Sequence, residues 1–90
     1  MEKISKHVSY KEGVRSNTAT RLDIDNMPSD YELSNMGILA DNLFEPLRRW
    51  VAGPIKINSF YRSPGLNTAI GGSNSSQHCQ GRAMDIDDTF

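Results

Sequence analysis

The sequence predicts an α+β domain, with helices packed on a small mixed or antiparallel sheet, and three observations predict it. A capped apolar stripe of helical period runs over residues 29–50. An alternation of apolar and polar residues opens at Ile55, and a second one runs over residues 82–87. Ninety residues suffice for one small domain. No internal repeat, low-complexity tract or Ser/Gly linker divides them, so the chain reads as one unit in three parts, 1–27, 28–53 and 54–90.

The first part reads as a helical arm. Ser9-Tyr10-Lys11-Glu12 has the S-x-x-E form of a capping box, in which the Ser hydroxyl accepts from a first-turn amide and the Glu side chain reaches back to the cap. A short helix is expected to start there and to end at Gly13 or at Ser16-Asn17, with a further turn within 18–25. His7 is expected to be a surface residue of this arm.

The second part is expected to be a long helix. Ser29-Asp30-Tyr31-Glu32 is another capping box, preceded by Pro28. Leu33, Met36, Ala40, Leu43, Leu47 and Trp50 then recur at alternating steps of three and four, which makes one apolar stripe facing a core. Pro46 has no amide proton and its ring crowds the preceding turn, so a kink is expected near residues 42–45. Gly53-Pro54 should stop the helix.

The third part carries the chemistry. Ile55-Lys56-Ile57-Asn58-Ser59-Phe60-Tyr61 reads as a strand that runs into a turn at Arg62-Ser63-Pro64-Gly65. One short helix is expected over 66–70, followed by the Gly/Ser loop 71–76, which delivers His78. In the last strand Ala83, Asp85 and Asp87 face one way and Met84 and Ile86 the other, so Asp85 lies on the side where a loop histidine could meet it. Gly81 would let the backbone bring residues 78 and 85 together, and a small Ala83 would leave room for an ion. By spacing alone, His78 and Asp85 can be two metal ligands or a solvated polar loop.

Composition narrows the classes. Ten Lys and Arg against eleven Asp and Glu give a net charge of -1, and no basic run exceeds Arg48-Arg49, so no nucleic-acid partner is expected. No apolar run is long enough to span a bilayer, and the first fifteen residues hold no signal-type apolar stretch. No membrane partner is expected, and synthesis in the cytoplasm without a signal peptide is. The single cysteine, Cys79, can close no internal disulfide and supply no CxxC site, which leaves any metal to His and carboxylates. Cys79 is expected to be a bystander, because neighbouring side chains point apart and His78 is badly placed to act as its base.

Ser76-x-His78-x-x-Gly81-x-Ala83-x-Asp85 matches the S-x-H-x-x-G-x-A-x-D signature and resembles the zinc D-alanyl-D-alanine carboxypeptidase family. That family includes bacterial and phage-borne peptidoglycan peptidases, D,D-dipeptidases of the vancomycin-resistance type and the hedgehog/DD-peptidase fold. Upstream, Glu45-Pro46-Leu47-Arg48, Ser59-Phe60-Tyr61-Arg62-Ser63-Pro64 and Asn67-x-Ala69-Ile70-Gly71-Gly72-Ser73 look like the run before the motif in the short phage-type members. The similarity covers residues 9–87.

The resemblance implies a zinc-dependent hydrolase of the peptidoglycan stem peptide, acting at the bacterial cell wall, with phage delivery as one of the routes open to it. It implies zinc ligation by His78 and Asp85. Arg62 resembles the arginine that reaches into the site to hold a substrate carboxylate or an oxyanion, the other reading being a guanidinium that ties down the turn. Ser76 resembles a serine at the site rim, with a plain turn cap as the other reading.

In that family a third ligand, a histidine, and an acidic general base follow the motif on later elements. Asp87 and Asp88 stand too close to Asp85 to serve, and His7 lies where the family has no ligand. The 90 residues are therefore expected to be inactive alone. Two explanations stand: the chain is the N-terminal part of a longer peptidase, or it is a non-catalytic peptidoglycan-binding or phage structural module built on the same shell. An edge strand and an uncovered apolar face would favour self-association.

Overall fold

The computed structural model describes residues 3–87. Asp88, one of the two carboxylates that closely follow Asp85, lies outside the described residues, as do Thr89 and Phe90. The first element differs from the helical arm predicted for residues 1–27. It is a small antiparallel hairpin, β1 (Lys3–Ser5) and β2 (Val8–Ser9), and its strands are too short to show a period of two. The helices follow it. Ser9 caps α1 (Tyr10–Val14) through the predicted box, with the Glu12 amide donating to Ser9 Oγ at 3.0 Å and the Ser9 amide donating to Glu12 Oε1 at 3.1 Å. Gly13 lies inside α1, and Ser16 caps α2 (Asn17–Leu22).

The long helical segment divides into α3 (Asp30–Leu39), a π turn (Ala40–Phe44) and α4 (Glu45–Val51). The Ser29–Glu32 capping box opens α3. The π turn falls where Pro46 was expected to disturb the helix, and the cause is the one stated for the kink. In an α-helix residue 46 would donate to the carbonyl of residue 42, but proline has no proton to give and its ring crowds that carbonyl. Here the Glu45 amide reaches back to the Ala40 carbonyl, five residues away.

The extra residue in that turn moves the buried stripe from Leu43 and Trp50 to Phe44 and Val51, with Leu47 common to both. The buried stripe runs Met36, Ala40, Phe44 and then the half-buried Leu47 and Val51. Leu43 and Trp50, expected on the core face, are exposed. The slip buries a phenylalanine where straight periodicity would bury a leucine, and each such side chain is worth about 2–3 kcal/mol. Ala52, in the left-handed region at φ 59°, ends α4 one residue before the predicted Gly53.

β3 (Ile57–Ser59) pairs antiparallel with β4 (Asp85–Ile86), Ile57 opposite Ile86 and Ser59 opposite Asp85. Between these pairs β3 advances two residues while β4 advances one, so β3 carries a bulge at Asn58. Ile57 lies in the core with Ile86 packed against it, and Asp85, next to Ile86 on its strand, points away as alternation predicts. Between the strands come α5 (Pro64–Ala69), two residues earlier than the predicted start, and a 3₁₀ turn (Gln77–Gln80). Val8, Met36, Ala40, Phe44, Ile55, Ile57, Phe60 and Tyr61 form one buried core beneath these layers. The architecture is α+β. No helix among the described residues is long and apolar enough to cross a membrane.

Candidate metal centre

The turn that carries His78 is built by short-range chemistry. Ser76 Oγ accepts from the His78 amide at 3.3 Å, and the Cys79 amide donates to the Ser76 carbonyl at 3.2 Å. Gly81 closes the turn at φ 74°, with its amide donating to the carbonyls of Gln77 and His78. A Cβ at Gly81 would overlap the Glu32 carbonyl oxygen and lie 2.8 Å from Met36 Cγ. Glycine is therefore required twice, for the left-handed backbone and for the close approach of α3. Asn35 on α3 holds the same turn by donating to the Gln80 carbonyl at 2.8 Å.

The other wall is the segment leaving β3. The Arg62 amide donates to the His78 carbonyl at 3.2 Å, and His78 Nδ1 lies 2.7 Å from the Phe60 carbonyl oxygen. A carbonyl only accepts, so Nδ1 carries the proton and donates. Nε2 then faces Asp85 Oδ2 at 3.2 Å. The imidazole is nearly buried, with a side-chain exposure of 11%, while the carboxylate is 62% exposed. An unprotonated Nε2 would present a lone pair to a negative oxygen, so the contact is attractive only with a proton or a cation between the two atoms.

That requirement is the test of whether a metal fits. Two donors bound at about 2.0–2.2 Å to one tetrahedral ion stand about 3.3 Å apart, which the observed spacing matches, and a histidine ligand usually donates its other ring N–H to a carbonyl or carboxylate. The donor types, their spacing and the anchored tautomer all suit zinc. Among the described residues no group of three or more His, Cys, Asp and Glu side chains comes together around a common point, so the pair by itself offers two donors.

Of the remaining predicted residues, Arg62 is adjacent through its backbone, and its guanidinium donates from Nη1 to Asn67 Oδ1 at 2.9 Å. Ser76 is the cap of the His78 turn. Ala83 lines an apolar groove of about 330 Å³ with Leu39, Phe44, Met84 and Ile86. Cys79 is a half-buried free thiol.

His7 is not the plain surface residue expected. Its Nδ1 lies 2.6 Å from Glu45 Oε1, and its amide donates to Glu45 Oε2 at 2.8 Å, joined there by the Ser5 hydroxyl. Burial pushes the Glu45 carboxyl up, but the bonds from Ser5 and His7 and the charge of His7 outweigh it and hold it below the ordinary carboxylate value. Burial, with the charge of Glu32 next, raises the Tyr61 phenol above its usual value, which keeps it neutral.

Sequence reasoning missed three residues that shape the centre. Phe60 contributes a backbone carbonyl, which no side-chain pattern can signal. Asn26 is buried, donates to the Val14 and Tyr61 carbonyls at 2.8 and 3.2 Å, and accepts from the Ser63 amide at 2.7 Å, clamping both peptide groups that flank Arg62. Asn67 belongs to the run upstream of the signature, where its residue type alone assigns it no role. A search of curated proteins and a search of solved structures each gave no match. A family model described as Peptidase M15 matches residues 6–89. That span takes in the hairpin turn, the π turn and every residue of the His78–Asp85 motif, in agreement with the resemblance carried by the signature, and the chain belongs to the Peptidase M15 family of metallopeptidases.

Proposed function

We propose that the chain carries part of the zinc centre of a peptidoglycan stem-peptide hydrolase of the D-Ala-D-Ala carboxypeptidase type, with His78 and Asp85 as two of the ligands. The observation that carries this reading is the 3.2 Å approach of His78 Nε2 to Asp85 Oδ2 while Nδ1 is already engaged by the Phe60 carbonyl. Family membership and the ten-residue signature support it. When bound, zinc supplies a Lewis acid and a water of lowered pKa.

The chain's own residues hold and orient. Phe60 fixes the tautomer that turns the Nε2 lone pair outward, and β4 presents the Asp85 oxygen beside it. Ser76 spends its oxygen on the His78 amide, which leaves the hydroxyl proton for a substrate oxygen. Arg62 takes a substrate carboxylate or a developing oxyanion through the donors that Asn67 does not use. A third protein ligand and a general base complete such a site and are not assigned to any described residue. The place of action we propose is the bacterial cell wall.

The test is the metal content and zinc affinity of the purified chain, by elemental analysis and calorimetry, beside His78→Ala, followed by peptidoglycan hydrolysis with added zinc. Stoichiometric zinc that is lost in His78→Ala supports the reading. A chain that binds no zinc but is retained on cell walls without hydrolysis would instead be a non-catalytic module.

A further inference from the structure

Asn67 is a buried side chain on α5 whose amide is used at both ends. Its Oδ1 accepts from Arg62 Nη1 at 2.9 Å, and its Nδ2 donates to the Ser73 carbonyl at 2.7 Å. Neither partner belongs to its own helix. One lies on the segment leaving β3, and the other on the glycine loop between α5 and the 3₁₀ turn. The Asn67 carbonyl also accepts from the Gly72 amide at 2.8 Å. A Cβ at Gly72 would overlap the Asn67 amide and come within 3.1 Å of Arg62 Nη1, so the loop packs directly on the Arg62–Asn67 contact.

Both segments converge on His78. The Arg62 amide is bonded to the His78 carbonyl, and the loop ends at Ser76, which caps the turn holding His78. One planar group therefore connects the direction of the guanidinium to the path of the loop.

We infer that Asn67 is a positioning residue of the candidate metal centre, which aims the Arg62 guanidinium at an anionic ligand without neutralising it. This rests on the reading of the centre as a zinc site. The chemistry of the amide explains the choice of residue. Only a side chain with an acceptor and a donor on one short planar group can serve Arg62 and Ser73 together. An aspartate would accept from Arg62 but could not donate to Ser73, and its charge would satisfy the guanidinium in place of a ligand. The neutral amide occupies one of five N–H donors and leaves the cation's charge uncompensated. Among the described residues Arg62 forms no ion pair with a carboxylate. The ligand class that follows is a carboxylate, or an oxyanion of the same geometry.

The experiment uses the 90-residue chain, uniformly ¹⁵N-labelled, with acetate as the carboxylate probe and zinc titrated separately. Asn67→Asp and Asn67→Ala are compared with wild type by the Arg62 Nε–Hε resonance, the amides of residues 71–76 and the thermal midpoint, and Arg62→Gln by the last two. In wild type, acetate should shift the Arg62 resonance saturably, and Arg62→Gln should abolish binding. Asn67→Asp should weaken acetate by about tenfold or more with Arg62 still ordered, a loss that a merely structural side chain would not produce. Asn67→Ala should also broaden the loop amides; if it does not fold, Asn67→Asp and Arg62→Gln decide the matter.

No acetate response in wild type, or equal acetate affinity in wild type and Asn67→Asp, overturns the assignment. If zinc fails to bind wild type while acetate still depends on Asn67, the metal reading falls and the positioning role stands. If zinc binds and acetate is indifferent to Asn67, the positioning role falls and the metal reading stands.

Discussion

Two histidine–carboxylate pairs, His7–Glu45 and His78–Asp85, are made of the same chemical groups with the burial inverted. In the first the carboxylate is the hidden partner, with 7% side-chain exposure against 32% for the imidazole, and the contact is 2.6 Å. In the second the imidazole is hidden at 11%, the carboxylate stands at 62%, and the separation is 3.2 Å. Glu45 collects three donors, from the Ser5 hydroxyl, the His7 ring and the His7 amide, so the pair is closed and ties the hairpin to the end of the π turn. Among the described residues Asp85 receives no such set, and His78 has already given its Nδ1 proton to Phe60, so this pair is open toward a cation or a proton. A buried carboxylate surrounded by donors is a fastener; an anchored imidazole facing an exposed carboxylate is left able to take a cation.

The largest effect should come from the turn that makes the open pair. Gly81→Ala combines a left-handed backbone with a Cβ driven into the Glu32 carbonyl and Met36, and should destabilise the fold by about 2–5 kcal/mol. Urea unfolding measures it, and a loss below about 1 kcal/mol would mean that α3 and the turn give way more easily than the geometry allows.

Next is the closed pair. Glu45→Gln removes a charged acceptor from three donors and should cost about 2–3 kcal/mol. Its pH dependence has a definite sign. The folded Glu45 value is depressed below 4.5, so its contribution is full above that value and is lost as the pH falls through the folded one. Wild type should therefore show a steeper acid limb in thermal unfolding than Glu45→Gln. Parallel limbs would mean that Glu45 has no part in acid stability.

The open pair predicts the opposite balance of stability and binding. Asp85→Asn, at an exposed carboxylate, should change stability by less than about 0.5 kcal/mol. Zinc affinity should nevertheless fall by about tenfold or more as an anionic ligand becomes neutral. Calorimetry that finds zinc binding unchanged would break the contrast between the pairs.

The smallest effect is a control. Ala52→Gly relieves a residue at φ 59° at the end of α4 and should stabilise the chain by about 1 kcal/mol. Because Ala52 takes part in neither pair, zinc affinity and the acid limb should not move with it.

Local chemistry was enough to read several features directly. Both capping boxes formed as predicted, because each needs only a hydroxyl and a carboxylate three residues apart. The disturbance before Pro46 is local for the same reason, since proline removes a bond within its own helix. The approach of residue 85 to residue 78 follows from a short span with a glycine at its turn, so the candidate pair was legible as well.

Tertiary packing decided the rest. Periodicity alone placed Leu43 and Trp50 inside, and the π turn brought Phe44 and Val51 inward because the core rewards whichever phase buries more apolar surface. His7 became a partner of Glu45 across 38 positions, a pairing that no local pattern encodes. The tautomer of His78 and the two asparagines that frame Arg62 depend on backbone groups brought from distant segments. Spacing in the sequence brings His78 and Asp85 within reach of each other, while side-chain orientation is set by carbonyls and amides that every residue possesses and that only the folded chain brings into reach.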